Sequence, residues 1–212
     1  MRTDDLIARL ADDLSPSRVT PGRRLAPALA AGIAVSAAVF LVWFGFRADF
    51  AQSLADPRVL LKFAVTLGVA ISALGLAVRL TSPGAKSGGW GRALLWPVLL
   101  LAVGVAAELA LTDPSAWGAA ALGSNAVRCL TMVPLLAAAP LAAILIVLRQ
   151  GAPTRPALAG AVAGLAAAGI AAAIYAAYCA DDSPLFVAVW YSLAIGLVAV
   201  LGGALGARLL RW

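Results

Sequence analysis

Residues 178–186 read YCADDSPLF and bring together the side chains in this chain best suited to chemistry. Cys179 offers a soft sulfur, and Asp181 and Asp182 place hard carboxylate oxygens beside it. The second cysteine, Cys129, follows Arg128, whose fixed charge favours a thiolate and could draw in an oxyanion. Two thiolates flanked by carboxylates suit a soft divalent metal such as cadmium or zinc. The same thiols suit oxidation, since a disulfide needs only Cα atoms within about 7 Å. A structural disulfide, or two inert thiols beside a polar turn, also accounts for these residues. The absence of histidine removes imidazole acid–base catalysis, imidazole metal ligation and histidine-ligated haem. Two cysteines are too few for a Cys-rich zinc site or an iron–sulfur site. The chain is therefore expected not to be an enzyme and to carry no resident cofactor. At most a transient heavy-metal ion would bind at Cys129 and Cys179.

The elements that position these residues are apolar helices. Of 212 residues, 63% are hydrophobic and 12% charged, with a mean hydropathy of +0.96. A soluble domain carries about 25% charged residues, so the composition is that of an integral membrane protein. Crossing a bilayer takes about 20 apolar residues, and six runs qualify: 25–46, 59–80, 93–111, 127–148, 157–178 and 185–207. Asp56-Pro57, Ser82-Pro83-Gly84, Asp113-Pro114-Ser115, Pro153-Thr154 and Asp182-Ser183-Pro184 punctuate the gaps. The fold class is all-α: a polytopic bundle of six transmembrane helices over residues 25–212, preceded by a cytoplasmic leader over residues 1–24. Lysine and arginine are expected on the cytoplasmic side. With both termini inside, twelve basic residues fall within and only Arg47, Arg58, Lys62 and Arg128 outside. The net charge of +6 thus reports topology, and no direct contact with nucleic acid is expected.

That orientation puts Cys129 and Cys179 at the outer ends of spans four and five, at similar depth. Lys62 and Glu108, near the outer ends of spans two and three, are expected to pair with each other or to snorkel. Gly160-x-x-x-Gly164 and Gly202-x-x-x-Gly206 are spacings that let helices approach closely. Pro97, Pro134 and Pro140 are expected to kink their spans. The middles of the spans are nearly free of polar groups, which disfavours the alternative of a small transporter or metal-efflux protein.

The leader MRTDDLIARLADDLSP has its own pattern. Thr3 can cap a helix whose first turn holds Asp4 and Asp5, favourable to the helix dipole. Leu6, Ile7, Leu10 and Leu14 then share one face. So short an amphipathic helix is marginal alone and needs a partner. Its four aspartates favour a protein groove over an anionic bilayer.

Taken together, the leader, the six spans, the cysteine in RCLTMVPLLAAAP and the stretch CADDSPLFVAVWYSLAI resemble the NrsF-type family of bacterial membrane anti-sigma factors. That resemblance implies a protein of the inner membrane that holds an extracytoplasmic-function (ECF) RNA polymerase sigma factor inactive and releases it under heavy-metal or oxidative stress. It implies that Cys129 and Cys179 are the sensing residues, supported by Arg128, Asp181 and Asp182. It also makes the leader, through Asp4, Asp5, Leu6, Ile7, Leu10 and Leu14, the surface that binds the sigma factor.

Overall fold

The computed structural model describes residues 21–81, 88–151 and 153–211, together with Thr3 and Asp5, which are helical and exposed. Asp4, Leu6, Ile7, Leu10 and Leu14 of the expected docking face lie outside the described residues. Six described helices are long and apolar enough to cross a membrane. They are α1 (Pro21–Trp43), α2 (Pro57–Leu80), α3 (Gly88–Leu111), α4 (Ala126–Leu148), α5 (Pro156–Ala176) and α6 (Pro184–Leu209).

Their boundaries follow from local chemistry. The Asp56 carboxylate accepts the Arg58 N–H and Pro57 occupies the first turn of α2, where its missing N–H costs nothing. Ser183 and Pro184 open α6 in the same way, with the Ser183 hydroxyl accepting from the Leu185 N–H at 3.2 Å. α1 stops three residues short of the apolar run's end because Gly45 takes a φ of +69°, a left-handed setting that favours glycine. α3 is interrupted at Leu94, just before Pro97, whose ring cannot complete the preceding turn. Short helices at Phe50–Ser53 and Trp117–Leu122 occupy two of the connections. A π-helical turn at Val187–Tyr191 lies near the start of α6. The hydrophobic pattern did not anticipate it.

The bundle is built around α5. Its alanines and glycines bury most of its surface against α6, α2 and α4, while α1 packs on α4 and α3 lies peripherally on α2. The two expected glycine spacings meet each other. A Cβ on Gly160 would run into the Gly202 carbonyl, and one on Gly164 would sit 2.5 Å from the Val198 oxygen. Proline sets the seam between α1 and α4. Pro140 has no N–H, so the Leu136 carbonyl loses its partner one turn ahead. The buried Ser36 hydroxyl of α1 donates to that carbonyl at 2.6 Å. One turn earlier, a Cβ on Gly32 would lie 3.0 Å from the Pro140 Cα, so the backbones nearly touch. Large apolar side chains such as Val42, Val103, Val127 and Val200 face outward.

Gly160→Ala should lower stability in detergent by about 1–3 kcal/mol, the usual cost of overpacking. Gly196 has open space around it, so Gly196→Ala should be neutral or raise stability by up to about 1 kcal/mol through helix propensity. Thermal unfolding of the two variants side by side checks this. Equal shifts would mean that α5 and α6 do not pack through their glycines.

Candidate functional site

All six long helices contribute to the end of the bundle that carries both cysteines, and the turn between α5 and α6 is its hub. The polar groups of that turn are each taken up by a different element. Lys62 of α2 is fully buried, and its ammonium donates to the Cys179 carbonyl at 2.8 Å, the Asp181 carbonyl at 3.3 Å and the Asp182 carboxylate at 2.5 Å. An ammonium has three donors, so its hydrogen-bonding capacity is filled entirely by one loop. The other oxygen of Asp182 accepts from Arg47, just beyond α1, at 2.7 Å. Arg47 also forks onto Asp49 with two 2.7 Å bonds, and its backbone N–H reaches the Ala177 carbonyl at 3.2 Å. The guanidinium holds the Asp49 carboxyl down at about 2, and the Asp49 carboxylate raises the Arg47 value in turn.

Asp181 turns the other way, toward α4. Its carboxylate accepts from the Asn125 N–H at 2.8 Å, the Asn125 side-chain amide at 2.9 Å and the Ser124 N–H at 3.1 Å. Asn125 makes no capping bond of its own at that helix start. A carboxylate from a distant loop thus sits at the positive end of the α4 dipole. Ser183 makes a longer contact of 3.4 Å with Glu108 of α3.

Both cysteines are buried free thiols beneath this network. Cys129 lies within electrostatic reach of Cys179, Lys62 and Asp181. Burial pushes the Cys179 thiol above its ordinary value, with the nearby Lys62 charge opposing but not overcoming it. Tyr175 and Tyr191 complete the pocket: their rings are 6.1 Å apart, and both hydroxyls are buried without a hydrogen-bonding partner and lie close to the thiols. A neutral thiol is a weak acceptor, so these phenols are left unsatisfied beside uncharged sulfur. A thiolate or metal-bound sulfur would accept from them. Neither tyrosine stood out in the sequence as more than an aromatic near a helix end. Tyr175 precedes Cys179 by one helical turn, and that spacing was the available signal.

Three expectations change. Lys62 and Glu108 do not pair with each other: Lys62 takes Asp182, and Glu108 takes Arg58 at 2.9 Å. Position along a helix is readable from the sequence, whereas the direction a side chain faces around its helix is set by packing. Arg128 does not face the Cys129 thiol; it bonds to the Tyr178 hydroxyl at 3.1 Å, as neighbours on a helix point about 100° apart. Asp181 and Asp182, expected beside sulfur as ligands, are already engaged by α4 backbone groups and by two cations. Among the described residues no group of three or more His, Cys, Asp or Glu side chains is disposed to hold a metal ion.

A family described as "Negative regulator of sigma F" matches residues 10–212. The chain belongs to the NrsF family. A full-length relative from Caulobacter vibrioides, named anti-sigma-F factor NrsF, is 38% identical over 220 residues, with both chains covered completely. Another from Azospira oryzae, named probable anti-sigma-F factor NrsF, is 32% identical over 213 residues with the same coverage. No solved structure matches the chain. The role described for the NrsF family is regulatory, not catalytic.

Lys62→Met should cost about 3–5 kcal/mol of stability, because it strips the partly buried Asp182 carboxylate of one of its two cations. Adding Asp182→Asn should recover part of that loss. Tyr191→Phe should instead stabilise the protein by about 1–3 kcal/mol by deleting an unpaired buried hydroxyl. Thermal unfolding in one detergent measures all three. A destabilised Tyr191→Phe protein would mean that the hydroxyl has a partner.

Proposed function

We propose that this protein is an anti-sigma factor of the bacterial inner membrane that holds an ECF-type sigma factor at the cytoplasmic face. The observation that carries this reading is the full-length likeness to relatives named anti-sigma-F factors. Six long apolar helices with outward-facing valines and leucines fit a bilayer as solvent. Arg24, Arg79, Arg92, Arg149, Arg155, Arg208 and Arg211 lie at the helix ends opposite the cysteines, which supports cytoplasmic termini and an outward-facing cysteine turn. The leader, through Asp4, Asp5, Leu6, Ile7, Leu10 and Leu14, is the sigma-binding segment in this reading.

Cys129 and Cys179 are the sensing pair. Oxidation to a disulfide would pass two electrons and two protons to an oxidant; a soft metal ion would displace the thiol protons on binding. Either event places new bonds beneath the Lys62–Asp182 network. The support for this is the common burial of the two thiols with two unpaired phenols. A tenfold loss of affinity for the sigma factor requires about 1.4 kcal/mol of coupling.

Purification of the intact protein from membranes should capture a sigma factor, and removal of the first 16 residues should reduce capture at least tenfold. Failure of the intact chain to capture any sigma factor would sink the reading. Cys129→Ser with Cys179→Ser should abolish target transcription induced by cadmium or chromate. An unchanged response removes the cysteines from the mechanism. A single cysteine placed at Arg58 of the double-serine variant should react with an impermeant thiol reagent from outside the cytoplasmic membrane; reaction only from the cytoplasm would reverse the topology.

A further inference from the structure

The cysteine turn lies at the far end of α1 from Pro21, and α1 is the one described element that both touches that turn and follows directly on the N-terminal leader in sequence. At 23 residues it runs about 35 Å at 1.5 Å per residue. Three sets of contacts hold it. Near its start, Arg24 donates to Gln150, beyond the end of α4, at 2.7 Å. At its middle, Ser36 bonds to the Leu136 carbonyl and Gly32 lies against Pro140, so the α1 and α4 backbones nearly touch. Beyond its end, Arg47 is tied to the cysteine turn through the Asp182 carboxylate and the Ala177 carbonyl. Beyond its end the contact is an ion pair backed by a backbone hydrogen bond, the middle is close-packed, and at the start the exposed Arg24–Gln150 bond is joined by Leu25, which is buried against the last turns of α2 and α4.

That ordering is mechanical. A packed seam resists translation but tolerates small tilts, and helix shifts of about 1–2 Å are a usual unit of switching. Tension applied at Arg47 would tilt α1 about the Gly32–Ser36 seam and displace its start against Gln150. The pull comes from the cysteine turn because Asp182 is shared: Lys62 holds one carboxylate oxygen and Arg47 the other. Any change at Cys179 that shifts its carbonyl disturbs Lys62, and Lys62 and Arg47 then compete for the same carboxylate.

We propose that Arg47 is the coupling residue of this protein, carrying a change at the Cys129–Cys179 pocket through Asp182 into a tilt of α1. This rests on the reading above that the thiols respond and the leader holds the sigma factor. It adds the route between them and assigns a role to a residue outside both. Asp49 steadies the guanidinium but is not in the path, since among the described residues its carboxylate bonds only to Arg47.

The test compares target transcription with and without cadmium in cells producing full-length variants at matched membrane levels. Arg47→Gln should still repress without cadmium, and its induction ratio should fall at least tenfold toward that of the Cys129→Ser/Cys179→Ser variant. Asp49→Asn, which leaves the Arg47–Asp182 bond in place, should induce within threefold of the wild type. Arg58→Gln, a change at the same end outside the path, should do the same. Arg47→Lys, keeping one charged bond to Asp182, should retain more induction than Arg47→Gln. Wild-type induction in Arg47→Gln would overturn the proposal. Loss of repression without stress would overturn it too, because Arg47 would then serve only to hold the structure. Should Arg47→Gln fail to accumulate, Arg47→Met, which also removes the bond to Asp182 and leaves the Lys62–Asp182 pair in place, takes its place with the same outcomes deciding. Failure of the underlying sensing reading shows itself separately, as wild-type induction in the double-serine variant with Arg47 intact; that result overturns the cysteine end of the route.

Discussion

A lysine ammonium with no exposure to solvent organises this fold. Removing an ion from water costs several kcal/mol after relaxation, and only a counter-charge with filled hydrogen bonds returns it. Lys62 finds both in one seven-residue turn, between α5 and α6. Once that turn is committed to Lys62, its remaining polar groups are placed as well. Asp182 faces Arg47 with its second oxygen, and Asp181 is presented to the start of α4. The cysteine turn is therefore a structural keystone in its own right. Its polarity, which stands out in so apolar a chain, answers a demand made by α2.

The remainder of the bundle uses subtraction more than addition. Where α5 meets α6, side chains are reduced to hydrogen or methyl so that backbones can approach. Where α1 meets α4, a proline deletes one hydrogen-bond donor and the orphaned carbonyl recruits a serine from the neighbouring helix. Both devices suit an environment in which burying apolar surface gains little, since the surroundings would be as apolar as the interior. Specificity then comes from close backbone contact and a few polar groups whose alternatives are costly.

How much of this was legible depends on which coordinate is asked for. Position along the bundle axis is written in the run lengths of apolar residues, and the six helices fall within a few residues of their expected limits. That α5 and α6 each approach a neighbour closely was also readable from small residues four apart, and the structure shows that the neighbour of each is the other. Direction around each helix was not readable. Lys62 and Glu108 were correctly placed near one end yet found other partners, and Arg128 turned away from the cysteine it precedes. The tyrosines were hidden for the same reason. Tyr191 sits at the end of a π-helical turn, where the register of side chains departs from the 3.6-residue period on which sequence reading relies.

The separation of Lys62 from Asp182 also sets an order of events in biosynthesis. Lys62 is made 120 residues before its counter-charge. Throughout the synthesis of α3, α4 and α5, the ammonium must stay hydrated or borrow a temporary anion. The hub closes only when the last hairpin arrives. Completion of the chain and burial of this charge are thus nearly simultaneous, and a chain that stops before Asp182 carries an unburied lysine that marks it as unfinished.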